Sequence, residues 1–443
     1  TRQYLPKTGC LLLLIAGLSC QPIIASDKSL PKRIRQPVAM ALDDTGNRLF
    51  VANHRAGTIS TLDTQLQKTI AETDVGESLA DLALLTDNTH LLAVDESAHQ
   101  LVVLKRKADV LHVVRRLQVS PYPVSMVVSK NDEYCCIASL WSRRLSIIDL
   151  SAINAPRIVS VIDLPFAPRK QILVSDTTLI VADSFGGALG IIDVKSGRLK
   201  HLQQIEAHNI RGLAVSSSRK ELLISHQILY SDKATTTPGV HWGGVLINTV
   251  RRMMIDALVA GKSEITRPGS LSYLGIPDRA AGDPGDLVVS RDNRQIVAFA
   301  GVNEVALSDD GISFRERLAV GRRPSAIRLS LDQKHCYVAN RFSDSISVVG
   351  FEPFKQIANI SLGPRPKLTT TARGEMLFYD SRLASDGWYS CHSCHTDGHS
   401  NGGLNDNFGD DSYGAPKRVL SLLGTGRTAP WAWNGRVDKL EQQ

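Results

Sequence analysis

The sequence predicts a mainly β chain: seven four-stranded blades closed into a β-propeller, followed by a small, mostly α-helical domain. Three observations carry this. A unit of near forty residues recurs seven times between 37 and 363. The composition is turn-rich and β-like, with 33 glycines and only 5% aromatics. The period stops after 363, and Ala372–Tyr379 then reads as a helix.

The bulk numbers set limits. At 443 residues and 43% hydrophobic, the chain can bury a sizeable core. With 21% charged residues and few biased tracts it is not a disordered chain. Seven cysteines are too few for a disulfide scaffold. The formal charge of +7 is uneven: residues 1–36 carry +5, 37–366 carry +3 and 367–443 carry −1. A nearly neutral body argues against nucleic acid as a partner.

The N-terminus reads as an export leader, 1–25. Arg2 and Lys7 precede a short apolar run, Cys10–Leu18, too short to span a bilayer as a mature helix. Two processing readings stay open. Signal peptidase would cut at Ala25. Alternatively Leu18-Ser19-Cys20 resembles the end of a bacterial lipobox, making a lipid on Cys20 the one membrane attachment. Gly17 stands where a lipobox usually has Leu.

The array comes next. Each unit opens as Pro-x-x-apolar-x-apolar, turns through Asp, Asn, Ser or Gly, and continues into a short apolar strand ending in a small and a polar residue. A third alternating strand ends near Asp. Units start at 37, 79, 123, about 170, about 211, 287 and 324. A four-stranded sheet buries both faces only against neighbours, which closes a ring. A solenoid is the alternative, disfavoured by the short array. Phe50-Val51-Ala52-Asn53 and Tyr337-Val338-Ala339-Asn340 resemble the Tyr-Val-Thr-Asn repeat of bacterial seven-bladed propellers.

Strand ends predict polar positions. Asn53, His54, Asp95, Asp183, Asn340 and Arg341 are expected on one face or in the channel, or bonded between blades. The gap of 76 before the sixth unit marks an insertion at about 230–286 in blade five. Val245–Leu258 allows an amphipathic helix there. His226 and His241 are weaker candidates for a redox site, the bland reading being strand-end histidines bonded to backbone. Cys135, Cys136 and Cys336 read as buried free thiols.

The chemistry lies in Cys391-His392-Ser393-Cys394-His395. Cys-x-x-Cys-His is the attachment motif of haem c: two thiols on one helical turn reach the haem vinyl groups, and the following His ligates the iron. Cys391 and Cys394 are thus the covalent sites and His395 the axial ligand. A structural zinc site needs a second ligand pair, and no second Cys pair follows. The region 367–443 is read as a c-type haem domain.

Residues around the motif carry a second resemblance. Ala372–Tyr379, the haem motif and Ser421-Leu422-Leu423-Gly424-Thr425-Gly426-Arg427-Thr428-Ala429-Pro430-Trp431-Ala432-Trp433-Asn434-Gly435-Arg436 are similar to the bacterial di-haem cytochrome c peroxidase family, MauG-like enzymes included. The resemblance implies that Trp433 and Arg436 lie near the haem edge, Trp433 passing electrons and Arg436 pairing a propionate. Asn434 stands for the usual Asp, and Gly424 for an Asn used by some members near calcium, which weakens the case for calcium. The family's distal His has no counterpart beyond His399, which is close behind His395. The sixth position is therefore open, water-held, or filled by Tyr413 or a residue from elsewhere. The family has two haems, so two readings stand: a fragment whose second haem is carried in sequence beyond Gln443, or a divergent mono-haem form.

The implied function is that of an exported, periplasmic c-type cytochrome, reducing peroxide or using it to oxidise a partner. A redox protein or small electron donor would be its partner. The alternative is a non-catalytic electron carrier whose propeller docks another protein. A third possibility, a catalytic quinoprotein-like propeller, lacks a visible cofactor-forming pair.

Overall fold

A computed structural model describes residues 30–262 and 270–442. The leader expected at 1–25, with both of its processing sites, lies outside the described residues.

Seven antiparallel sheets follow one another along the chain, each running from its innermost to its outermost strand. Blade one is Pro37–Leu42, Arg48–Asn53, Thr58–Asp63 and Lys68–Asp74. The later blades open at Leu79, Pro123, Pro168, His208, Pro284 and Pro324. Second strands are almost wholly buried, as in His90–Asp95 and His335–Asn340, whereas fourth strands such as Arg157–Asp163 face water. A central strand covered on both faces has to be mostly apolar, and these are between their polar ends.

Apolar clusters sit between neighbouring blades. Val94, Leu101 and Val103 pack on Cys135 and Ile137, joining blades two and three. Ile180 and Ile191 pack on Leu222 and Ile224, joining four and five. The cluster that decides between ring and solenoid holds Leu49, Val51 and Leu62 of blade one against Tyr337, Ile346 and Val348 of blade seven. The ring is closed. Polar contacts reinforce the seam: the Arg35 and Gln36 amides donate to Asp344 at 3.1 and 2.8 Å, and the buried Arg35 guanidinium reaches Glu72 at 2.7 Å. Gly363 lies at φ +134°, and a β-carbon there would meet the Arg35 guanidinium at 2.7 Å.

The recurring Asn has a plain role. Asn53 Nδ2 donates to Thr58 and Ser60 hydroxyls at 2.9 and 2.8 Å. Asn340 does the same to Ser345 and Ser347 at 3.1 and 3.0 Å. In blades one and seven a buried amide thus ties the end of the second strand to the start of the third. Cys135, Cys136 and Cys336 are free and buried, and burial pushes Cys136 up to about 12.

Blade five departs from the expected helix. Leu246–Met254 is a strand, paired over nine residues with Glu221–Leu229, and only Ile255–Val259 (helix α2) turns helical. The stretch carries Ile247, Thr249 and Val250, β-branched residues that a strand accommodates better than a helix. The true excursion is shorter: Tyr230–Val245, with helix α1 at Thr237–His241, its N-cap Thr236 accepting from the Gly239 amide. The sheet then ends in a hairpin, Leu271–Ile276 and Arg279–Ala280.

The C-terminal segment is helical where it is regular, but sparsely so. Helix α3 (Thr370–Phe378) is capped by Thr369, and α4 (Cys391–Cys394) by Ser390. Six short 3-10 turns and one strand pair, Leu404–Asn405 with Lys417–Arg418, are the other regular pieces among its described residues.

Candidate haem site on the propeller face

Helix α4 is docked on the propeller, and Asp283 is its anchor. This carboxylate accepts from Ser390 Oγ at 2.5 Å and Ser393 Oγ at 2.6 Å. Ser393 also meets Gln227 Nε2 at 3.2 Å, and its carbonyl lies 3.1 Å from His208 Nε2. Beside the helix, Trp388 packs with Val240, Val245 and Ala280, its indole N–H donating to the His241 carbonyl.

The middle of the motif is buried. His392 is 1% exposed, its Nδ1 3.6 Å from Asp283 and its Nε2 3.7 Å from Asp397. Asp397 in turn is held by Arg169 at 2.7 Å, Arg211 at 3.0 Å and the Ser184 hydroxyl at 2.9 Å. Burial works to raise both carboxyls. At Asp283 the neighbouring His392 and Arg323 with the Ser390 hydroxyl together outweigh it, and at Asp397 Arg169 and Arg211 do, so both stay below the usual carboxylate range.

The outward face carries the chemistry. Cys391 is exposed and Cys394 half-buried. Burial pushes the Cys394 thiol up to about 12, the reverse of the lowered thiol in a redox Cys-x-x-Cys. His395 Nδ1 lies 2.8 Å from the Leu420 carbonyl. That bond places the proton on Nδ1 and leaves Nε2 as the nitrogen able to bind a metal, an orientation of the kind that a metal-ligating histidine takes.

The surroundings fit a porphyrin. Among the described residues from 397 onward no apolar side chain is fully buried. Instead Leu404, Phe408, Leu420, Leu422, Leu423 and Trp433 are each 38–55% exposed. A segment of this length with its apolar side chains turned outward suits a large apolar group as its core. Cys391, Cys394 and His395 are the residues that would hold it.

Behind α4 the blades enclose a cavity of about 320 Å³ at the channel mouth. Of the strand-end residues expected there, His54 and Arg341 line it; His54 pairs with Glu96 at 3.2 Å and Arg341 meets Gln36 at 3.2 Å. The others turn into the blades. Asp95 accepts from the amides of Glu77 and Ser78, and Asp183 from those of Phe185 and Gly186. Arg323 completes the mouth, its guanidinium 3.7 Å from the Tyr379 ring centroid; burial lowers it to about 10.

The weaker candidates scatter. His399 Nδ1 meets Ser421 Oγ at 2.7 Å, and its ring stands edge-on to Trp141 and Phe185 of the propeller. Tyr413 stacks near Phe408 and lies 3.4 Å from the Thr235 carbonyl. Trp433 donates to the Arg418 carbonyl at 3.0 Å, and Arg436 lies 3.5 Å from Asp411. His226 is fully buried inside blade five and accepts from Arg251 Nε at 3.1 Å; burial, then Arg251, lowers it to about 3. His241 faces Asp386, just ahead of the haem motif.

Sequence reasoning missed Asp283, Asp397, His392 and the arginines. A signal existed for one group. Gln36, Tyr122, Asp283 and Arg323 each precede a blade-opening proline and each has a positive φ. That repeated kink stands at the blade entrance, and Asp283 and Arg323 use it to reach the channel mouth.

Residues 369–443 match the family model of the di-haem cytochrome c peroxidase. No curated protein matches the chain in sequence. Among solved structures, hydrazine synthase of Kuenenia stuttgartiensis is similar with a TM-score of 0.61 and 18% identity, over 73% of this chain and 98% of that one. A functionally unknown protein of Desulfotomaculum acetoxidans follows at 0.53 and 12%, over 72% and 97%. Virginiamycin B lyase of Staphylococcus aureus gives 0.51 and 14%, over 71% and 94%. At these identities the likeness shows the fold alone. The chain is therefore a seven-bladed β-propeller followed by a segment that matches the family model of the di-haem cytochrome c peroxidase.

Proposed function

We propose that the protein is an exported c-type cytochrome that reduces peroxide, or uses peroxide to oxidise a partner. One observation carries this reading: within the family-matching segment, Cys391 and Cys394 flank a propeller-anchored turn while His395 is oriented by the Leu420 carbonyl. A bound haem c would supply one-electron redox chemistry toward peroxide or a donor. The chain's own residues supply the rest. Asp283 fixes the attachment turn, Leu420 sets the imidazole tautomer, and the exposed leucines and Trp433 offer apolar cover. Among the described residues no helix is long and apolar enough to cross a membrane. Export suits haem attachment, which in bacteria takes place outside the cytoplasm, and the periplasm is the compartment we assign.

The test is expression of the whole chain with a haem c maturation system, followed by turnover of hydrogen peroxide by the reduced protein. Peroxide-dependent oxidation of a donor is expected. A covalently loaded but peroxide-inert protein would overturn the catalytic reading. It would favour the second one, a carrier exchanging electrons with a docked protein or small donor, which the 54% exposure of Trp433 supports.

A further inference from the structure

Away from the haem motif, three chain segments bring metal-ligating groups together. His241 ends helix α1, Asp278 sits in the turn between Leu271–Ile276 and Arg279–Ala280, and Asp386 lies on the approach to α4. One ligand atom from each lies within 4.8 Å of the others. His241 Nδ1 and Asp386 Oδ2 are 2.8 Å apart.

The charges around this cluster do not balance. Among the described residues Asp278 has no hydrogen bond or ion pair, and Asp386 pairs with His241 alone. Neighbouring Arg279 turns instead toward Glu304, at 3.8 Å. Two carboxylates therefore face one another across an imidazole, with no arginine or lysine between them. A cation is the missing charge, and the donor set says which kind. One imidazole nitrogen and two carboxylate oxygens suit a first-row divalent ion; calcium prefers six to eight oxygens. Bonds of about 2.1 Å put neighbouring ligands of one ion about 3.0–3.4 Å apart, so the 2.8 Å His241–Asp386 pair would open slightly while the wider separations, up to 4.8 Å, close.

We propose that His241, Asp278 and Asp386 form a binding site for a divalent transition cation, Zn²⁺ or Mn²⁺, with its remaining positions open to water. Two ligands come from blade five and the third from the haem segment. The ion would fasten the Tyr230–Val245 excursion to the approach of α4, where Trp388 already donates to the His241 carbonyl. The site is independent of the haem reading.

The experiment is calorimetric titration of the full, haem-loaded chain with Zn²⁺, after treatment with chelator. Haem loading keeps Cys391, Cys394 and His395 from the added ion. The same titration in a Cys391→Ser, Cys394→Ser double variant gives the result should haem not attach. One equivalent is expected to bind in both, with Asp278→Asn and His241→Gln each weakening it at least about tenfold. Asp278 is exposed, so its variant should fold, as circular dichroism will show. Mn²⁺ should show loss of its free-ion paramagnetic resonance signal in the parent and not in Asp278→Asn. Absence of saturation at millimolar Zn²⁺, or equal affinity in parent and both variants, would overturn the proposal.

Discussion

Arg169 opens blade four and Asp397 follows the haem motif, yet their side chains meet at 2.7 Å across 228 residues of sequence. Arg211 joins them from blade five. The propeller thus grips the haem-bearing turn from both sides, with Asp283 on one flank and Asp397 on the other.

Asp397→Asn should loosen that grip. It leaves two largely buried guanidiniums facing a neutral amide, and removing one partner of a buried pair costs about 3–5 kcal/mol. Arg169 is still 23% exposed, so a loss of about 2–3 kcal/mol is expected, read from the urea midpoint at pH 7. The parent keeps this contribution at neutral pH. It is lost as pH falls below about 3.9, the unfolded aspartate value, toward the depressed folded one.

His208 governs a different window. Burial lowers it to about 4 while it binds the Ser393 carbonyl. Below about 6.5 the unfolded chain takes up a proton that the folded chain refuses, so stability falls between pH 6.5 and 4. His208 accounts for a loss of about 2 kcal/mol between pH 7 and 4.5, which should vanish in His208→Gln as read by chemical unfolding, leaving the share of the likewise buried His226.

Covalent attachment gives a plain chemical readout. Haem in the parent should resist acid-acetone extraction. Cys391→Ala with Cys394→Ala should make it extractable or absent, and each single variant should retain one thioether. Extractable haem in the parent would exclude haem c.

Asn340→Ala removes a buried amide that serves two hydroxyls. At about 1 kcal/mol per bond, a loss of about 2 kcal/mol is expected in thermal or urea unfolding, with haem content unchanged.

Trp433→Phe separates the two proposed functions. If Trp433 is a port for electrons, oxidation of a protein donor should slow by about tenfold, equivalent to about 1.4 kcal/mol of barrier. Peroxide turnover with a small donor should hold, as stopped-flow absorbance will report.

Much of the blade architecture was legible because it is written in short-range periodicity. Phe50–Asn53 and Tyr337–Asn340 are buried on both faces, and such runs read as central strands whatever their surroundings. The haem motif was legible because its chemistry depends on sequence spacing alone. Leu246–Met254 misled because a short apolar run carries no reliable period; its partner, Glu221–Leu229, decided the outcome. The Asp283 and Asp397 clamps were hidden for another reason. Their partners lie between 107 and 228 residues away, and only ring closure brings them together.

The seam between Arg35 and Asp344 sets a timetable. These residues are separated by 309 positions, so the ring cannot shut until the seventh blade has been made, and loop closure of that span is entropically costly. Until then blade one presents Leu49 and Val51 without their partners, a surface open to misassociation. The haem motif follows the seam in the chain, and its docking partners Asp283, Arg169 and Arg211 all belong to the ring. Slowing closure, for instance by weakening Asp344, would lengthen that exposed interval and lower the yield of cytochrome even where each finished molecule is sound.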